Sequence, residues 1–202
     1  MIPAVFLDRD GVLNELIFNP VTGEYESPHT PEDLVMIDGV IPALRRLAGA
    51  GFALFLVSNQ PSYAKGKTTL ENIQDIHRRL DGSLRGNGIA FGEYFYCYHH
   101  PHGIVPAYSR KCLCRKPMPY FLLRAAREHG VDLTSSWMVG DQDTDVECGR
   151  SAGCRTALVM NAHSAAKRGC SRPDVTVTAL SEAADRIVHW KKGIGTNDRA
   201  EY

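Results

Sequence analysis

Near the start of the chain four apolar residues, Ala4-Val5-Phe6-Leu7, run straight into Asp8-Arg9-Asp10-Gly11, and this junction restricts the possible folds more than any other stretch. An apolar run of that length suits a strand covered on both faces, and the glycine beyond it lets the chain turn sharply. Strands covered on both faces belong to parallel sheets flanked by helices, where ligands gather at the carboxyl ends of the strands. Asp8 and Asp10 stand at such an end. Asp and Gly are also ordinary turn formers, so the rest of the chain has to decide between a turn and a site.

The same junction recurs. Phe52 to Val57 is a second apolar run, ending in Ser58-Asn59-Gln60-Pro61, and Trp137-Met138-Val139 is a third, ending in Gly140-Asp141-Gln142-Asp143-Thr144-Asp145. Helical spacing links Val40, Leu44 and Leu47, with Gly51 as the stop. Thr68 followed by Glu71 reads as a capping box opening a long helix through Leu70, Ile73, Ile76, Leu80 and Leu84 to about Gly86. Another helix runs through Leu122, Ala125 and Ala126 to Gly130. Tyr94 to Tyr96, Thr156 to Val159 and, more weakly, Val175 to Val177 read as strands. Helices are expected at Val146 to Ala152 and Ser181 to Trp190. Residues 15–33, broken by Pro20, Gly23, Pro28 and Pro31, read as a loop over the active edge. This alternation predicts an α/β fold, a three-layer Rossmann-like parallel sheet with right-handed crossovers. Residues 1–190 are expected as one domain and 191–202 as a polar, frayed tail.

Composition narrows the partners. Lys plus Arg and Asp plus Glu both number 23, giving a formal net charge of zero, so no overall field favours nucleic acid or an anionic membrane. The apolar runs are too short to span a bilayer, and Asp8, Arg9 and Asp10 interrupt any signal-peptide pattern. A cytoplasmic monomer is expected, with its six cysteines reduced. Cys148, Cys154 and Cys170 read as small buried hydrophobes.

If the three strand ends converge, Asp8, Asp10, Asp141 and Asp145 would repel one another without a countercharge. A hard divalent cation with oxygen ligands, best Mg²⁺, is the natural occupant. A phosphate ester would complete the site, with Lys116 neutralising its oxygens, the Ser58 hydroxyl donating to one, and a carboxylate attacking phosphorus in line. Taken singly, Asp141 and Asp145 could be helix caps and Lys116 a surface lysine.

Asp8-Arg9-Asp10-Gly11-Val12-Leu13-Asn14, the Ser-Asn-Gln after a strand, the Lys116-Pro117 pair and the run from Val139 to Asp145 resemble, in order and spacing, the four motifs of the haloacid dehalogenase superfamily of phosphohydrolases. The resemblance covers roughly residues 3 to 160. It implies that Asp8 is the nucleophile forming an aspartyl-phosphate and Asp10 the general acid and then base. Ser58 and Lys116 would bind the transferring phosphoryl group. Asp8, the backbone carbonyl of Asp10, and Asp141 would hold Mg²⁺, with Asp145 in support. No large cap domain fits before Ser58.

Cys97-Tyr98-His99 and Cys112-Leu113-Cys114 bracket a long loop, and four such ligands suit tetrahedral Zn²⁺. With Cys97, His99, Cys112 and Cys114 all bound, the zinc would be structural. His100 and His102 are alternative ligands. The segment 97–117 resembles that of D-glycero-D-manno-heptose 1,7-bisphosphate phosphatases, in nucleotide-heptose biosynthesis, whose relatives the histidinol-phosphate phosphatases have shorter loops. By that resemblance Asn59, Lys65, Arg115 and Gln142 would meet a small phosphorylated sugar. Gln142 stands where those families usually carry a cation, and Lys65 where they usually carry Arg. A histidinol-phosphate or other sugar-phosphate phosphatase, and a non-catalytic zinc-loop binding module, are the alternative readings.

Overall fold

The computed structural model describes residues 1–197. Its strands and helices, in chain order, are β1 (Ala4–Leu7), β2 (Ile17–Asn19), β3 (Glu24–Glu26), α1 (Val40–Gly49), β4 (Ala53–Asn59), α2 (Leu70–Gly86), β5 (Glu93–Cys97), α3 (Tyr120–His129), β6 (Trp137–Gly140), α4 (Asp143–Ala152), β7 (Arg155–Val159), β8 (Val175–Val177) and α5 (Leu180–Asn197). Six strands form one sheet in the order β5-β4-β1-β6-β7-β8, every pair parallel. The chain builds outward from β1 on one side and then on the other, so the strand order reverses beside β1. In open α/β sheets that reversal opens a crevice at the carboxyl edge.

Side-chain alternation explains the three layers. Val5 and Leu7 face α1, α2 and α5, packing with Leu44, Leu47, Ile76, Leu80, Ala184 and Ile187. Ala4 and Phe6 face the other way, into a smaller cluster with Phe55, Phe95, Met138, Phe121 and Leu122. Each residue of β1 is buried, the reason its sequence shows no polar alternation.

Several local expectations are corrected. Residues 15–33 are not all loop: β2 and β3 pair as an antiparallel hairpin. The α2 cap is Thr69, whose side chain accepts from the Asn72 N–H, one residue beyond the expected Thr68. Helix α5 continues past Trp190 to Asn197, and the rest of the expected tail, 198–202, lies outside the described residues. Cys148 and Cys154 are buried as expected, but Cys170 is exposed. Among the described residues no helix is long and apolar enough to cross a membrane.

Candidate active site

Because β1, β4 and β6 are neighbours, Asp8, Ser58 and Asp141 leave the sheet side by side. The turn after β1 is held by the Arg9 carbonyl, which accepts from the N–H groups of Leu13 and Asn14 at 2.8 and 3.1 Å. Gly11 is needed there twice over: its φ is 83°, and a Cβ would come within 2.3 Å of Asp141 Oδ2. Only glycine lets the turn approach the acid so closely.

Asp8, Asp141 and Asp145 bring one carboxylate oxygen each within 4.8 Å of one another. Asp141 is fully buried, and neither of its carboxyl oxygens has a hydrogen-bond partner. Burial, with the charges of Asp8 and Asp145 adding to it, pushes this carboxyl up to about 8. An orphaned buried carboxylate is costly unless a cation meets it, and three clustered oxygens are a hard donor set. The residues therefore fit Mg²⁺.

Lys116 closes the cluster from the opposite side. Its Nζ lies 2.9 Å from Asp8 Oδ1 and 2.6 Å from Asp145 Oδ1, and it donates to the Val57 carbonyl at 2.7 Å. Burial works against its charge, but Asp145 and Asp8 outweigh burial and hold it above its ordinary value. Burial raises Asp145 and Lys116 lowers it, leaving it near 6. Asp145 also accepts from the Gln142 N–H at 3.0 Å, so it caps α4 as well as facing the lysine. Asn59 uses both ends of its amide on the Lys116 backbone, accepting at 3.0 Å and donating at 3.2 Å. Expected to touch substrate, it clamps the lysine backbone and also lines a cleft over the site.

Two residues to which the sequence assigned no role flank Asp10. Arg9, with no exposed surface, reaches Asp10 Oδ1 through Nε at 3.0 Å and Oδ2 through Nη2 at 3.3 Å. Gln60, 1% exposed, donates from Nε2 to Asp10 Oδ2 and to Ser58 Oγ. Its Oε1 accepts from Arg9 Nη2 at 2.8 Å. Asn14 Nδ2 adds a 3.0 Å bond to Asp10 Oδ1. The signal available was strand periodicity, which puts Gln60 on the same side as Ser58.

A cleft of about 300 Å³ lies above this floor. Asp8, Asp10, Asn59, Lys65, Arg115, Lys116 and Gln142 line it, whereas Ser58, Asp141 and Asp145 are buried and do not. Glu24 to Ser27 of the hairpin form one wall, and Ser62, Lys67, Thr144 and Lys167 add polar groups not anticipated from sequence. The hairpin is tied down. Glu26 meets Lys67 and, at 3.1 Å, His29, Ser27 Oγ lies 3.0 Å from Ser62 Oγ, and Tyr25 stacks on His163 with centroids 3.7 Å apart. Burial raises the Glu26 carboxyl, but hydrogen bonds from Lys67 and Thr22 prevail and bring it down to about 2.

Behind Lys116, the sulfurs of Cys97, Cys112 and Cys114 stand 3.4 to 3.5 Å from one another. His99 Nδ1 lies 3.6 and 3.9 Å from Cys114 and Cys97. Ligands of a tetrahedral zinc stand about 3.5–3.8 Å apart, given bonds near 2.3 Å to sulfur and 2.0–2.1 Å to nitrogen. The four side chains fit that ion. His100 and His102 are outside the group and bond to each other, through the His102 N–H and His100 Nδ1.

Comparison with known proteins adds relatives. The HAD-hydrolase-like family profile matches residues 113–183. A D-glycero-beta-D-manno-heptose-1,7-bisphosphate 7-phosphatase of Yersinia pestis is 37% identical over 183 residues, 91% of this chain and 87% of that one. Its namesake from Escherichia coli K12 is 36% identical, covering 79% of each chain. Among solved structures, the D,D-heptose 1,7-bisphosphate phosphatase of B. bronchiseptica, complexed with magnesium and phosphate, superposes with a TM-score of 0.76 at 27% identity. The match covers 94% of this chain and 99% of that one.

Proposed function

The chain belongs to the family of D-glycero-beta-D-manno-heptose-1,7-bisphosphate 7-phosphatases, within the haloacid-dehalogenase-like hydrolases, and from that premise we propose that it removes the 7-phosphate of such a bisphosphate through an aspartyl-phosphate. The observation that carries this reading is the meeting of Asp8, Asp141 and Asp145 under a cleft lined by Asp10 and Lys116.

Asp8 acts as the nucleophile. Lys116 and the Arg9 N–H both hold its Oδ1, at 2.9 and 2.8 Å, and no group among the described residues engages Oδ2, the oxygen that attacks phosphorus. Asp10 gives its proton to the departing sugar oxygen, then takes one from the water that opens the acyl phosphate. Ser58 and Lys116 hold the phosphoryl oxygens, with Lys65, Arg115 and Gln142 toward the sugar. Mg²⁺, held by Asp8, Asp141 and the Asp10 carbonyl with Asp145 beside them, supplies positive charge against the phosphoryl oxygens when bound. Zinc on Cys97, His99, Cys112 and Cys114 folds the segment that delivers Arg115 and Lys116.

A phosphate-release panel tests the substrate, comparing heptose 1,7-bisphosphate, heptose 7-phosphate and histidinol phosphate with Mg²⁺ present. The bisphosphate is expected to give the highest kcat/KM. Preference for histidinol phosphate would overturn the substrate, and inertness toward all phosphomonoesters would overturn the activity.

A further inference from the structure

The proposed chemistry uses Asp8 and Asp10 but leaves unexplained why a guanidinium and a carboxamide are buried directly beneath them. Burying an arginine is expensive unless every neighbour compensates it, yet Arg9 has no exposed surface. It spends Nε and Nη2 on Asp10 and Nη2 also on Gln60. Gln60 in turn has both amide hydrogens and its carbonyl oxygen engaged. One amide hydrogen goes to Asp10 Oδ2, the other to Ser58 Oγ at 2.9 Å, and the carbonyl oxygen accepts from Arg9. With Asn14 on Oδ1, four hydrogen bonds hold the Asp10 carboxylate in place. Asp8 has no such cage: among the described residues no group engages its Oδ2.

We propose that Gln60, braced by Ser58 and Arg9, is a positioning residue for Asp10, fixing where the proton donor and acceptor of the reaction stands while leaving attack by Asp8 untouched. The inference rests on the phosphatase reading above. Gln60 is buried and does not line the cleft; its two amide hydrogens end on Asp10 and Ser58, and because Ser58 only accepts from it, the loss of Gln60 should reach catalysis chiefly through Asp10. Ser58 Oγ accepts from Gln60, which leaves its own hydrogen free to turn to another acceptor. The same amide thus orders the two side chains that flank it.

A role confined to Asp10 divides the reaction into a step that needs it and one that does not. Attack of Asp8 on an aryl phosphate breaks the P–O bond with the electron pair leaving on a phenolate stable without a proton. Attack on a sugar phosphate expels an alkoxide that must be protonated. Opening of the aspartyl-phosphate needs a base for water in both cases, the water proton passing to Asp10 and the P–O bond to Asp8 breaking. The test is rapid-mixing kinetics on Gln60→Ala, using an aryl phosphate from among those the wild type hydrolyses, such as 4-nitrophenyl phosphate, beside the sugar bisphosphate. The variant is expected to release a burst of about one phenolate per active site, followed by turnover about 10–100-fold slower than wild type. On the sugar phosphate kcat should fall about as far, with KM within about threefold and no burst. Gln60→Glu keeps the side-chain size and the acceptor toward Arg9 but presents no amide donor to Asp10. It should behave as Gln60→Ala does, and it decides the matter if the alanine variant fails to fold. Equal losses on both substrates without a burst, or turnover unchanged in the folded variant, would overturn the role of Gln60. Wild-type protein inactive on every phosphomonoester would instead overturn the activity on which it rests.

Discussion

Asp141 carries a cost that its ligand should remove, and replacing it by Asn exposes both halves of that relation. Its carboxyl is raised from an ordinary 3.8 to about 8, first by burial and then by Asp8 and Asp145. The native state therefore holds a proton that the unfolded chain has lost between about pH 4 and pH 8. A carboxyl raised in this direction favours folding fully below its unfolded value, and that contribution is lost as pH rises through the folded one. At pH 7 the interval from 3.8 spans about three units, or about 4 kcal/mol at 1.36 kcal/mol per unit. Relaxation and water penetration around the ionised carboxylate return part of it, leaving about 2 kcal/mol as the gain expected on removing the charge. In Mg²⁺-free buffer with zinc retained, Asp141→Asn should match wild type near pH 4 and exceed it by about 2 kcal/mol at pH 7. Added Mg²⁺ should reverse the order, since an ion at 100 times its Kd stabilises the wild type by about 2.7 kcal/mol and gains little on the variant. Urea unfolding across pH 4 to 8, with and without Mg²⁺, reads both effects. A variant no more stable than wild type at pH 7 in Mg²⁺-free buffer would refute the account of an uncompensated buried acid.

Three further outcomes follow from the same geometry. Asp8→Asn should abolish phosphate release while circular dichroism stays native; undiminished Mg²⁺-dependent turnover would remove Asp8 as nucleophile. Metal analysis should find about one zinc per chain, and Cys112→Ser should lose it along with thermal stability; protein purified without chelator and free of zinc would contradict this. In Gly140→Ala the new Cβ would come 2.2 Å from both Cβ and Cγ of Asp145, costing about 1–3 kcal/mol in unfolding free energy and weakening Mg²⁺ binding; an unchanged melting temperature would show that the turn yields more easily than its packing indicates.

The fold was legible where burial leaves one answer. Val5 and Leu7 belong to one core and Ala4 and Phe6 to the other, so a run without polar interruption could only be a doubly covered strand. Strands β2 and β3, three residues each, are too short for alternation to register, and the hairpin passed as loop. Thr68 is the better cap on sequence because Glu71 follows it three residues later, but in the fold its hydroxyl donates to the His29 carbonyl. Thr69 is left to accept from the Asn72 N–H. The charged floor of the site was readable because its carboxylates sit at strand ends. Arg9 and Gln60 were not, because each looks like an ordinary polar residue until the fold buries it beside Asp10. Asn59 shows the converse, a side chain flagged by its motif whose amide proves committed to the Lys116 backbone.

The ties around the cleft mouth have a consequence for how specificity could be transplanted. Glu26, Ser27 and His29 on one segment hold Lys67, Ser62 and Thr68 on another, although some forty positions apart in sequence. Each wall is bonded to the other. A chimera that imports a hairpin from a homologue while keeping the host's residues 61–68 would bring together mismatched halves of one joint. Substrate preference should move between homologues only when residues 17–29 and 61–68 travel together, and the catalytic edge of the sheet can stay behind.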